Sequence, residues 1–152
     1  VADPSAGLLD RRAIRLEAVA AGHEDAVRQC GAALVDVGAV TADYVESMLD
    51  RERSVSTYLG EGVAVPHGTG SGRAAILRDA IAVLRFPRGA DWNGATVTVA
   101  VAVAARGDGH MAILAELARL LSDPGRARNL REAATADDIT RLLQPREEEA
   151  AP

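Results

Sequence analysis

A chain of 152 residues that is 48% hydrophobic and 26% charged suits one compact globular domain. A net charge of −5, with acidic and basic residues interspersed and no basic stripe, excludes a nucleic-acid partner, and 3% aromatics leaves the core to Val, Leu, Ile and Ala. The single cysteine, Cys30, excludes an internal disulfide and a cysteine-built zinc site, and no apolar run is long enough to span a bilayer.

In chain order, residues 1–11 are small and weakly patterned and read as a loose start. Ala13–Val19, "AIRLEAV", alternates well enough for a first strand. A helix opens near His23, a surface or capping position. Val27, Cys30, Leu34 and Val37 recur at helical spacing, which makes Cys30 a core thiol, and Gly38 is a stop signal. A second helix is expected from Thr41 as N-cap, with Val45, Met48 and Leu49 on one face, ending near Arg53. "GVAVPH" is too short for a helix and reads as a strand, as does Ala80–Phe86. Ala95–Ala105 is apolar on both faces, the pattern of a central strand. Ile113, Leu114, Leu117, Leu120 and Leu121 mark a helix, with Asp108 near its start. Pro124 opens a further helix after Asp123, and Thr135 caps the last one. The alternation predicts an α/β fold: one mixed, mostly five-stranded sheet with helices on both faces. One domain over 1–144 is expected, with 145–152 a solvated tail.

Chemistry concentrates at two histidines. Pro66 cannot donate a ladder hydrogen bond, so its strand ends or lies at an edge there. Gly68, Gly70 and Gly72 then leave His67 approachable on a rigid lip. A histidine in such a turn also has a purely structural use, bonding the backbone, and position alone does not separate the two. His110 falls in the first turn of the Leu-rich helix, where unpaired N–H groups attract phosphate and disfavour an imidazolium. It reads equally as a capping residue. If the strands before His67 and His110 end at the same sheet edge, both imidazoles face one cleft.

Asp108 is the only candidate for a third metal ligand and no compact ligand spacing exists, so neither a metal nor a cofactor is expected. Ser71 lacks a nucleophile elbow, "GTGSG" is followed by no Walker lysine, and the dinucleotide pattern is missing. Two imidazoles near arginines suit phosphoryl transfer through histidine, where positioning and positive charge do most of the work.

The segment "YVESMLDRERSVSTYLGEGVAVPHGT" resembles the mannitol/fructose-type enzyme IIA domains of the bacterial phosphoenolpyruvate-dependent sugar phosphotransferase system. Glu52, Leu59, Gly60, Val63, Ala64, Val65, Pro66, His67 and Gly68 satisfy every fixed position of the family signature. The resemblance runs from about Leu8 to Leu143 and looks closest to mannitol-specific members. "TYLG" before the histidine favours transport over the nitrogen-regulatory relatives. "GADWNGATVTV" is shorter than in many mannitol members, and "GDGHMAIL" differs around the second histidine.

The resemblance implies a phosphotransferase whose His67 takes a phosphoryl group from phospho-HPr and passes it to the cysteine of a IIB domain. That IIB domain works with a membrane IIC, either in trans or in one longer chain. His110 matches the second active-site histidine and Arg51 the active-site arginine, while Glu52 is expected to be structural. A cytoplasmic location is implied, with no membrane insertion. A regulatory IIA-like domain and an inert binding module are the competing readings. The docking face should be apolar and shallow, with Val63 and Met111 as exposed contributors.

Overall fold

The computed structural model describes residues 8–106 and 109–143, with the backbone alone at 109–111. Asp108 and the tail 145–152 therefore lie outside the described residues, as do the side chains of His110 and Met111.

Five strands form one mixed sheet in the order β1-β4-β5-β3-β2. These are β1 (Leu9–Arg15), β2 (Tyr58–Gly60), β3 (Val63–Ala64), β4 (Ala80–Trp92) and β5 (Ala95–Ala104). The pairs β1/β4 and β3/β5 are parallel, while β4/β5 and β2/β3 are antiparallel. Helices α1 (His23–Asp36) and α2 (Asp43–Ser54) cover one face. Helices α3 (Gly109–Leu121), α4 (Pro124–Glu132) and α5 (Ala136–Leu143) cover the other. The expected sheet with helices on both faces is the one observed.

Strand β5 shows why both faces are apolar. Ala100, Ala102 and Ala104 point to the α1/α2 layer and pack with Val27, Cys30, Leu34, Tyr44 and Met48. Val99, Val101 and Val103 point to the other layer and pack with Ile113, Leu117, Leu120, Leu130 and Ile139. The period of two sends small residues one way and branched residues the other.

Several boundaries differ from those expected. The first strand is Leu9–Arg15, not Ala13–Val19, so residues 9–11 are ordered. A register shift between Leu9 and Ile14 displaces the alternation, and the chain still tracks β4 beyond the strand, Ala18 N–H donating to Arg85 O at 3.0 Å. Strand β4 does not stop at Phe86. A bulge between Arg85 and Ala90 absorbs Pro87, and the strand resumes through Trp92 into a two-residue turn. Asn93 and Gly94 sit there at φ of 55° and 96°, as a primed hairpin turn requires. Thr41 does not cap α2: the N-cap is Ala42, in helical conformation and without a side-chain cap. His23 does not cap α1 either. It is the first helical residue, with its ring tilted over Trp92 at a centroid distance of 6.1 Å. Thr135 does cap as expected, its side chain accepting from Asp138 N–H, and Asp123, just before Pro124, caps α4 by accepting from Gly125 N–H.

Candidate functional site

Strands β3 and β5 are parallel neighbours, so both chains leave the sheet at the same end. His67 follows β3 by three residues and forms an isolated parallel bridge with Val103. Beyond β5 the chain enters α3, whose second residue is His110. The expectation that the two segments end at one sheet edge holds for the backbone. Clefts in such sheets form outside the carboxyl ends of the strands.

The lip is held from several sides. Val65 N–H donates to Thr57 O at 3.0 Å, and Val103 N–H donates to Pro66 O at 2.9 Å. His67 is partly exposed, and its Nδ1 lies 2.9 Å from Val65 O. A carbonyl only accepts, so Nδ1 carries the proton, and in the neutral ring the lone pair sits on Nε2. The backbone bond thus selects the tautomer.

Helix α2 supplies the floor. Tyr44 Oη accepts from Gly68 N–H and donates to Val103 O, both at 2.9 Å. Ser47 Oγ accepts from Thr69 N–H at 2.8 Å and lies 2.9 Å from Thr69 Oγ1, which in turn is 2.8 Å from Ser71 Oγ. The glycines make this approach possible. A Cβ on Gly68 would stand 2.5 Å from the Tyr44 ring, and one on Gly72 would stand 2.2 Å from Ser47 Oγ. Burial pushes the Tyr44 hydroxyl up to about 12, so it stays protonated and able to donate.

Arg51 follows Ser47 by four residues and so lies one turn on along the same stripe of α2. Its guanidinium donates to Val55 O at the end of its own helix. Arg73 was not anticipated. It sits on a 3-10 turn over Gly70–Ala75 and lines a cavity of about 200 Å³ with Tyr44, Gly68, Thr69, Gly70, Ile76 and Ala105. Glu52 matches its expected structural part. Its buried carboxylate accepts from Thr57 N–H, Thr57 Oγ1 and Trp92 Nε1 at 2.9, 2.6 and 2.8 Å.

The apolar surface needs correction. Val63 is 0% exposed, because β3 is only two residues long and lies between β2 and β5, with Val63 packed in the α3–α5 core. Among the described residues, the large exposed apolar ones at this end are Val55 (63%) and Leu77 (55%). Val55 lies two residues before Thr57, which pairs with Val65. Leu77 O accepts from Arg106, just beyond β5. Neither carried a sequence signal: Val55 is a lone apolar residue in a polar loop, and Leu77 directly follows Ile76, which is buried.

Relatives agree with this architecture. The family described as phosphoenolpyruvate-dependent sugar phosphotransferase system, EIIA 2, matches residues 7–145. The mannitol-specific phosphotransferase enzyme IIA component of Staphylococcus aureus (strain MRSA252) is 36% identical over 122 residues, covering 80% of this chain and 85% of that protein. A multiphosphoryl transfer protein of Salmonella typhimurium is 42% identical over 125 residues, covering 82% of this chain but 33% of its own length, so the chain spans about a third of that relative. Among solved structures, the complex of enzyme IIAMTL and phosphorylated enzyme IIBMTL from Escherichia coli matches with a TM-score of 0.79 and 31% identity, over 90% of this chain and 98% of that one. Matched in sequence and in fold along nearly its whole length, the chain belongs to the EIIA 2 family of the phosphoenolpyruvate-dependent sugar phosphotransferase system.

Proposed function

We propose that this chain is a phosphocarrier whose His67 takes a phosphoryl group from phospho-HPr and hands it to the cysteine of a IIB domain, for uptake of mannitol or a related sugar. The observation that carries the reading is the Nδ1–H bond to Val65 O, which puts the lone pair on Nε2. The Nε2 lone pair attacks phosphorus, a new N–P bond forms, and the N–P bond of the donor breaks with its electron pair returning to the donor imidazole. In the second step the IIB thiolate attacks, an S–P bond forms, and Nε2 recovers its lone pair. No proton has to leave His67 in either direction, so Nδ1 stays bonded to Val65 O throughout.

Arg51 and His110 are assigned to the phosphoryl oxygens, as the family resemblance implies. Val55 and Leu77 provide apolar surface for two partners that dock in turn. Mannitol follows from the names of the relatives. The phosphocarrier domain is taken as residues 1–144, working in the cytoplasm. No helix among the described residues is long and apolar enough to cross a membrane.

The test is incubation with phosphoenolpyruvate, enzyme I and HPr, read by intact mass and by peptide mapping under alkaline conditions, since phosphohistidine is acid-labile. One added phosphoryl group on His67 is expected. No gain, while a control IIA in the same mixture is labelled, overturns the reading in favour of a regulatory or binding module.

A further inference from the structure

His67 is anchored on both sides to one residue of the central strand. In a parallel ladder, a bridge between His67 and Val103 consists of two bonds: Val103 N–H to Pro66 O, and Gly68 N–H to Val103 O. The first is present at 2.9 Å. The second pair still faces across the bridge, and the Tyr44 hydroxyl spans it, accepting from Gly68 N–H and donating to Val103 O. A phenol oxygen is thus inserted into the ladder at the residue after His67. Tyr44 is 1% exposed, and its ring closes the space where a Cβ on Gly68 would sit.

We infer that Tyr44 is a positioning residue for phosphoryl transfer: its hydroxyl wedges the segment after His67 away from β5 and so sets the direction in which Nε2 points. Without the wedge, Gly68 N–H and Val103 O are left to pair directly or to remain buried and unsatisfied. Direct pairing draws Gly68 toward β5 and turns the neighbouring histidine with it. Misplacing a reacting atom by about 1 Å costs on the order of a hundredfold in rate.

The inference rests on the phosphocarrier reading, and the experiment separates the two. Tyr44→Phe removes the oxygen and keeps the ring. The expected result is a fall of about tenfold or more in kcat for acceptance from phospho-HPr, with KM for phospho-HPr unchanged, because the docking surface is untouched. The ¹⁵N spectrum of the His67 ring should lose its single Nδ1–H tautomer. Val27→Ala, a core truncation in α1 away from the lip, serves as the control for general destabilisation. Wild-type kinetics and an unchanged ring spectrum in Tyr44→Phe overturn the inference, as does an equal loss of rate in Val27→Ala. If wild-type protein takes no phosphoryl group at all, the function reading fails and the ring spectrum alone decides the wedge. If Tyr44→Phe does not fold, hydrogen exchange on the wild type decides it. The Gly68 amide should be as protected as that of Val103, and a fast Gly68 amide overturns the inference.

Discussion

Glu52 and Trp92 join helix α2 to the far end of strand β4: the indole Nε1–H donates to Glu52 Oε2 at 2.8 Å, in the core. The other contacts of the same carboxylate hold Thr57, and Thr57 O receives Val65 N–H. One buried acid therefore ties the helix, the hairpin strand and the base of the lip. Glu52→Ala strands three donors and should cost about 3 kcal/mol in urea denaturation. Glu52→Gln should lose a substantial part of that, because its amide nitrogen turns a donor toward a donor. A loss below about 0.5 kcal/mol for Glu52→Ala would show the network to be dispensable.

On the proposed reading the two histidines have unequal parts. His67→Ala should abolish phosphoryl acceptance, measured by label incorporation. His110→Ala should still be labelled but should transfer onward more slowly, by about tenfold or more if it stabilises transferring charge. Loss of labelling in His110→Ala alone would reverse the two assignments.

Arginine substitutions separate charge from geometry. Arg51→Lys should slow transfer, since a compact ammonium does not reproduce a bidentate fork. Arg73→Gln should slow it as well, because Arg73 lines the cavity beside Gly68 and Thr69. Single-turnover rates at saturating phospho-HPr give the answer, and an unchanged rate removes that residue from the site.

Alkaline pH should destabilise the fold before it ionises the folded core. Burial raises the Cys30 thiol from 9.0 to about 12 and the Tyr44 hydroxyl from 10.0 to about 12. Both are neutral when protonated, so the unfolded chain releases these protons first. Their stabilisation is complete below about pH 9 and falls as pH rises toward 12. Denaturant midpoints measured from pH 8 to 11 should decline, and the decline should flatten in Cys30→Ala. Cys30 in the native protein should also resist a thiol reagent at pH 8 and react once unfolded.

Much of this architecture is written in short patterns. The alternating Ala and Val of β5 fixes a central strand with two covered faces, and Pro66 followed by glycines marks the end of a strand with a presented imidazole. Other parts depend on tertiary context. Strand β2 is three residues long and has no periodicity to read. Strand β4 continues past Pro87 only because a bulge removes that residue from the ladder. Periodicity places the apolar face of α2 along Val45, Met48 and Leu49 and gives no sign of the polar partners of the lip. Tyr44 and Ser47 become legible only when Gly68 and Gly72 are seen packed against them. His67 shows a different limit: its backbone bond and the proposed reactive role read as rivals in the sequence, yet one tautomer accommodates both.

The amides of Gly68 and Thr69 face into the protein, bound by the hydroxyls of Tyr44 and Ser47. Glycine-rich turns that store phosphate do the opposite and aim successive N–H groups at the anion. Here those two donors are already spent, so a phosphoryl group on His67, as proposed, would be left to side chains. A phosphoryl group held that way would pass readily to a second protein that brings its own donors. On the proposed reading, the inward turn of two peptide bonds would favour a relay over a reservoir.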